Sequence, residues 1–297
     1  MHESNNHNAI TTMNKPIVIG IGELLWDMLP SGKQLGGAPC NFVYHAQKMG
    51  AEGVCISAIG KDELGLKIID VLQSKGLSTS LIQKNTYPTS KVDVALDPNG
   101  VPHYTIHQNV AWDFIEYTSA LEDLIAKAHV VCFGSLAQRC NVSQMCIAKA
   151  LKKCKPECII IFDINLRQKY FTKKIIESSL HLCNILKLNE DELPIVSDLL
   201  NIEGDISQQL SKLRQQYNLD LIAYTQGACG SYLISSTEES FMPTPIVEVK
   251  DTVGAGDAFT AAMVMQILDQ KSLKDIHQKA VDISAFVCTQ NGAMPEY

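Results

Sequence analysis

The stretch Asp251-Thr252-Val253-Gly254-Ala255-Gly256-Asp257 runs straight into Ala258-Phe259-Thr260-Ala261-Ala262-Met263, a run of helical composition. Glycines just ahead of a helix let the backbone turn so that successive N–H groups converge beside the positive end of the helix dipole, which makes an anion hole. Asp257 stands at the same place, where a carboxylate repels a phosphate unless a proton or a cation takes part. It therefore points to a base that removes a proton from a hydroxyl as that hydroxyl attacks phosphorus. Asp after Gly is also an ordinary helix cap, and residue types alone leave both readings open.

A second cluster, Gly36-Gly37-Ala38-Pro39-Cys40-Asn41, follows shortly after Gly22-Glu23-Leu24-Leu25-Trp26-Asp27. Small residues let a ligand approach the backbone, while Asp27 and Asn41 offer the acceptors and donors that a polyol needs. A tight turn with an Asn cap would use the same letters. Two other phosphate motifs fail: Gly60-Lys61 is followed by Asp62 with Cys55 at the earlier glycine position of a P-loop, and Gly20-Ile21-Gly22 meets Leu25 where a dinucleotide fingerprint needs its third glycine.

These residues must be held by an α/β framework. Short apolar runs rich in β-branched residues (17–21, 54–59, 130–133, 159–162, 185–188 and 221–224) alternate with amphipathic stretches (41–49, 63–74, 143–153, 173–183, 206–217 and 258–270). That alternation predicts a parallel sheet with helices on both faces. One segment breaks the rhythm: 89–96 and 101–107 read as two strands joined by a turn containing Asn99-Gly100, either an antiparallel edge of the main sheet or a cover over a cleft. Residues 1–14 lack apolar periodicity and are expected to form a disordered extension.

Composition narrows the classes. Of 297 residues, 25 are Lys or Arg and 32 are Asp or Glu, a formal charge of -7 that argues against a nucleic-acid partner. No run reaches the roughly 18 apolar residues of a membrane span, the best candidate at 258–268 being broken by Thr260 and Gln266. Ten cysteines sit mostly in apolar runs, without metal-ligand spacing, and are expected to be reduced packing residues of a cytoplasmic protein.

Gly36-Gly37-Ala38-Pro39-x-Asn41, then Ser57-Ala58-Ile59-Gly60-Lys61-Asp62-Glu63-Leu64-Gly65, and later Asp251-Thr252-x-Gly254-Ala255-Gly256-Asp257-Ala258-Phe259 together resemble both signatures of the ribokinase-like (phosphofructokinase-B) carbohydrate kinases. The resemblance runs from Lys15 onward, and Gly22-Glu-x-Leu-x-Asp27-x-x-Pro30 is most similar to the fructokinase branch. It implies a roughly nine-stranded, mostly parallel sheet between helices, with residues 15–297 forming one kinase domain and a small β lid contributed by about 22–36 and 88–112. It implies ATP, Mg²⁺ and a small sugar as ligands, and pairing of lids into a homodimer.

Residue by residue, Asp257 then resembles the catalytic base, and the N–H groups of Gly254, Ala255 and Gly256 resemble the anion hole. Asp27, Gly36, Gly37 and Asn41 match the sugar-binding segment, and Arg167 in Asp163-Ile164-Asn165-Leu166-Arg167 matches a motif in which Ile164 replaces proline, with contact to substrate or phosphate or a structural ion pair as its two roles. Asn189 and Glu192 match Asn-x-x-Glu, tied to magnesium through water, although Asn before three acids is also a helix cap. Thr225, Gly227 and Gly230 match a turn beside the nucleotide. Asp251, the carbonyl of Val253 and the backbone near Gly292 match a monovalent-cation site, potassium by type. Trp112 reads as a wall of the sugar cleft or a buried aromatic, and His103 and His107 as lid surface.

Overall fold

Strand and helix alternate because β-branched runs too short for a stable helix are separated by segments with one apolar face. The computed structural model describes residues 15–29, 32–96 and 102–297; the expected extension at 1–14, Pro30 and the expected turn at 97–100 lie outside them. From the amino end the chain forms β1 (Ile17–Ile21), β2 (Leu25–Leu29), β3 (Gly32–Gly36), helix α1 (Ala38–Lys48), β4 (Glu52–Gly60) and α2 (Glu63–Ser74). Next come β5 (Ile82–Asn85), β6 (Ser90–Leu96), β7 (Pro102–Ile106), α3 (Ser119–Ile125), β8 (Val130–Phe133), α4 (Asn141–Leu151), β9 (Ile159–Asp163) and α5 (Lys173–Leu180). The remainder supplies β10 (Ile185–Asn189), α6 (Glu192–Leu200), α7 (Ile206–Gln216), β11 (Leu221–Thr225), β12 (Ser231–Ser235), β13 (Glu239–Met242), α8 (Ala255–Leu268) and α9 (Leu273–Cys288).

Nine strands form one sheet in the order β13-β12-β11-β10-β9-β8-β1-β4-β5, parallel except for β12 and β13. Successive side chains along a strand point to opposite faces, so each strand feeds two cores. Ile19, Val131, Phe162 and Leu186 face one core, closed by α3 to α7. Val18, Val130, Ile161 and Ile185 face the other, closed by α1, α2, α8 and α9. The result is a three-layer sandwich. Helix α8 is apolar nearly all round and buried accordingly, packed against α1 and α9.

The segment that broke the rhythm joins neither edge of the main sheet. Strands β6 and β7 pair with each other and then with β2 and β3 in a separate four-stranded sheet of order β3-β2-β6-β7. Among the described residues, all ten cysteines are free and no helix is long and apolar enough to cross a membrane.

Candidate active site

The chain leaves β1 in two directions, toward β4 and β5 on one side and toward β8 to β11 on the other. At such a reversal the flanking loops diverge beyond the carboxyl ends of the strands and leave a crevice. Into it point the ends of β1, β8 and β9 and the first turns of α1 and α8. A narrow cleft lies there, lined by Ala38, Pro39, Phe42, Phe133, Asp163 and Asp257 among others. A wider hollow is an open polar depression beside α7 between Asn201 and Gln216 and shares no residue with this crevice.

Asp257 is half-buried in the first turn of α8, and its Oδ2 accepts a 2.8 Å hydrogen bond from Nδ2 of Asn41 in the first turn of α1. Two helix starts, 216 residues apart in sequence, thus meet at one carboxylate. The other end of the amide, Asn41 Oδ1, is buried without a partner. Burial first and the charge of Asp163 second push the Asp257 carboxyl up to about 7, while the Asn41 bond, Lys187 and Arg167 pull the other way. A carboxyl titrating near neutrality can both take and return a proton. Helix α8 starts at Ala255, three residues earlier than the sequence pattern suggests, because Gly254 at φ 80° turns the chain and caps it. A Cβ there would lie 2.7 Å from the Ala293 Cα. The first-turn N–H groups of a helix have no partner within it; that of Ala255 is directed at the Thr252 carbonyl at 3.3 Å, and those of Gly256 and Asp257 follow on the same turn.

The expected sugar residues gather on the β1 side. Asp27 lies in β2 opposite Gln34 of β3 and Val92 of β6, and its carboxyl is raised by burial against the lowering charge of Arg167. Gly36 leaves room for it, since a Cβ at that position would collide with Asp27 Oδ2. Gly37 is the N-cap of α1. Arg167 is exposed, and its charge acts on Asp27, Asp257 and Glu23 together, which places it at the same crevice. Glu23 is only 3% exposed, its carboxyl raised by burial, with Oε2 unpartnered.

The expected nucleotide residues line the other side. Asn189 and Thr225 are register partners at the carboxyl ends of β10 and β11. Asn189 Oδ1 accepts the N–H groups of Asp191 and Glu192, while Glu192 returns one oxygen to the Asn189 N–H and the other to the Leu166 N–H, each at 2.9 Å. The helix-cap geometry is thus present. Burial raises the Glu192 carboxyl, with Lys187 opposing. Gly227 takes φ 47° and accepts from the Thr244 hydroxyl at 2.6 Å; Gly230 takes φ 131° against the Met242 carbonyl. Asp251 accepts the N–H groups of Val253 and Gly292, both at 3.0 Å, and so ties the loop ahead of α8 to the segment after α9.

Three polar side chains that the motifs had given no role complete the crevice floor. Lys187 Nζ lies 3.2 Å from Asp163 Oδ1, and Thr260 Oγ1 lies 3.1 Å from Asp163 Oδ2. Burial alone would lower the Lys187 ammonium, yet the charges of Asp163, Glu192 and Asp257 outweigh it and hold the pKa raised. The signal was available: a lysine inside Ile185-Leu186-Lys187-Leu188, a run otherwise fit for a buried parallel strand, has to find a buried partner. Trp112, by contrast, is 0% exposed beneath the Arg139 guanidinium and walls no cleft. His107 bonds Asp93 at 2.6 Å on a half-exposed surface, whereas the His103 side chain lies outside the described residues.

The model of the pfkB family carbohydrate kinases matches residues 31–296. The chain belongs to that family. It is therefore a carbohydrate kinase, a phosphotransferase. An uncharacterized sugar kinase from Pyrococcus horikoshii is 28% identical over 86% of this chain and 84% of its own, and its crystal structure superposes with a TM-score of 0.81 over 94% and 93% of the two chains. Fructokinase-2 of Solanum lycopersicum is 25% identical over 94% of this chain and 92% of its own. The fructokinase of Xylella fastidiosa with bound ATP, 23% identical, shares the fold with a TM-score of 0.82 over 94% of each chain.

Proposed function

We propose that this kinase transfers a phosphoryl group from ATP to the primary hydroxyl of a furanose, with fructose as the acceptor. The observation that carries the reading is the Asp257–Asn41 contact. A half-buried carboxylate whose pKa is pushed up to about 7 stands in a helix first turn, held by an amide whose own oxygen is free. Asn41 Oδ1 accepts a hydrogen bond from an acceptor hydroxyl, and Asp257 takes the proton of the hydroxyl that attacks. The α8 first-turn N–H groups donate hydrogen bonds to the oxygens of the transferring group.

Asp27 and Arg167 bracket the acceptor on the β2 side, and the sheet of β2, β3, β6 and β7 closes over it as a lid that excludes water. Fructokinases among the relatives support the acceptor, and the Pyrococcus horikoshii kinase, also described in complex with ATP, supports the donor. Mg²⁺ suits the residues at the end of β10. A hard ion that keeps most of its water shell needs only oxygen contacts through that water, and both Glu192 oxygens already hold backbone N–H groups. Asn189 and Glu192 would hold it, and when bound it neutralises charge on the phosphoryl oxygens. Thr225, Gly227 and Gly230 let the nucleotide approach the backbone. Asp251 with the Val253 carbonyl is our site for potassium, and the lid sheets of two copies pair in a homodimer.

ADP release measured with fructose, other ketoses, a sugar acid and a nucleoside tests the acceptor. Fructose is expected to give the highest kcat/KM, and a better rate with another class would replace the acceptor and keep the fold of the argument. Asp257→Asn is expected to stay folded and to lose at least about 10²-fold in kcat, the lower end for a positioned base. Turnover near wild type in the folded variant would falsify the assignment of the base.

A further inference from the structure

Lys187 sits in register opposite Asp163 on neighbouring parallel strands, 8% exposed, with Leu186 and Leu188 buried beside it. Its ammonium touches Asp163 Oδ1; the second Asp163 oxygen faces the Thr260 hydroxyl, which is shared with the Gly256 carbonyl at 3.0 Å. A Cβ at Gly256 would come within 3.2 Å of Lys187 Nζ, so the ammonium lies directly under the first turn of α8. Lys187, Asp163 and Thr260 thus form a continuous link from two central strands to the helix turn that carries Asp257, three residues before Thr260. Such a link is a poor way to gain stability, since a buried ion pair is commonly matched or bettered by apolar side chains of similar volume. Its specific product is position at the α8 start, where it acts beside the Asn41–Asp257 bond and the close approach of Gly254 to Ala293.

We infer that Lys187 and Thr260 are positioning residues of phosphoryl transfer, acting through Asp163 to hold the first turn of α8, and with it the Asp257 carboxylate, at the reacting geometry. This rests on Asp257 as the base. A displacement of the base by a fraction of an ångström lowers the rate of the chemical step and leaves both substrates bound as before.

The test uses Thr260→Val, which keeps the shape and removes the hydroxyl, together with Lys187→Met, Lys187→Arg and the Thr260→Val/Lys187→Met double variant, each checked by thermal melting. Thr260→Val is expected to lower kcat about tenfold, or about 1.4 kcal/mol, with KM for ATP and for sugar within about twofold. Lys187→Met is expected to lose more, Lys187→Arg to recover part of it, and the double variant to be no slower than Lys187→Met, because both changes cut one link. Wild-type kcat in Thr260→Val, losses that multiply in the double variant, or an effect of Lys187→Met mainly on the KM for ATP would each overturn the proposal. If Lys187→Met does not fold, Thr260→Val alone decides. Asp257→Asn run beside them separates the two readings: an active Asp257→Asn removes the base itself, whereas an inactive one with unaffected Thr260→Val removes only the link.

Discussion

Replacing Asn41 by alanine removes the one hydrogen bond from a side chain to Asp257 that the structure shows. A bond from a neutral amide to a carboxylate stabilises the charged form by about 1.5–3 kcal/mol, part of which water recovers once the site is opened. At 1.36 kcal/mol per pH unit, a residual loss near the low end raises the Asp257 pKa by about one unit, from about 7 to about 8. At pH 7 the deprotonated fraction then falls from about a half to about a tenth, so kcat falls roughly fivefold, and at pH 9.5 the two enzymes converge. The assay is coupled ADP release at saturating sugar and ATP across that range. Saturation removes the second role of Asn41, contact with the acceptor, which is expected in KM. The reasoning is refuted if Asn41→Ala lowers kcat by the same factor at every pH, for then burial and the charges of Asp163, Lys187 and Arg167 set the base without Asn41.

Two further outcomes follow from the same geometry. A carboxyl titrating near 7 in the folded chain and 3.8 in the unfolded chain binds a proton only when folded across that window, so its contribution to stability falls as pH rises through it. Asp257→Asn should therefore melt higher than wild type by a margin that is small at pH 4, grows to pH 7 and then levels, with a ceiling of roughly 4 kcal/mol; a margin independent of pH contradicts this. Gly36→Ala drives a methyl group into Asp27 Oδ2 and to within 3.0 Å of Leu25 Cδ1; the expected result is a sugar KM raised about tenfold with the KM for ATP unchanged, and an equal rise in both would remove Asp27 from the acceptor side.

The strands of the main sheet that carry the site were legible because Ile17-Val18-Ile19, Val130-Val131 and Ile159-Ile160-Ile161 are β-branched runs of strand length. Helix α6 was not among the pattern-based helices: Pro194 looks like a breaker but falls in the first turn, where no N–H is needed. Helix α9 hides for another reason, the fully buried His277 interrupting its apolar stripe while bonding Ser231 and Ser240. In the site, the glycine clusters and Asp257 are local signals of turn and charge. The Asn41–Asp257 bond and the Lys187–Asp163–Thr260 link join distant segments, and only tertiary packing brings them together. That Lys187 is polar was visible; which carboxylate it meets was not.

The two-way departure of the chain from β1 also sorts its chemistry by position along the sequence. Asp27 and Gly36 come from β2 and β3 of the small sheet and Gly37 and Asn41 from the start of α1, while Arg167, Asn189, Glu192, Thr225, Gly227 and Gly230 follow or end the strands β9 to β11, with Asp257 at the start of α8 between them. In the proposed reading most contacts to the acceptor come from the early stretch, with Arg167 after β9 as the exception, and those to the nucleotide come from the later one. On that reading, exchanging the amino-terminal segment is expected to change acceptor preference and to leave the KM for ATP as it stands.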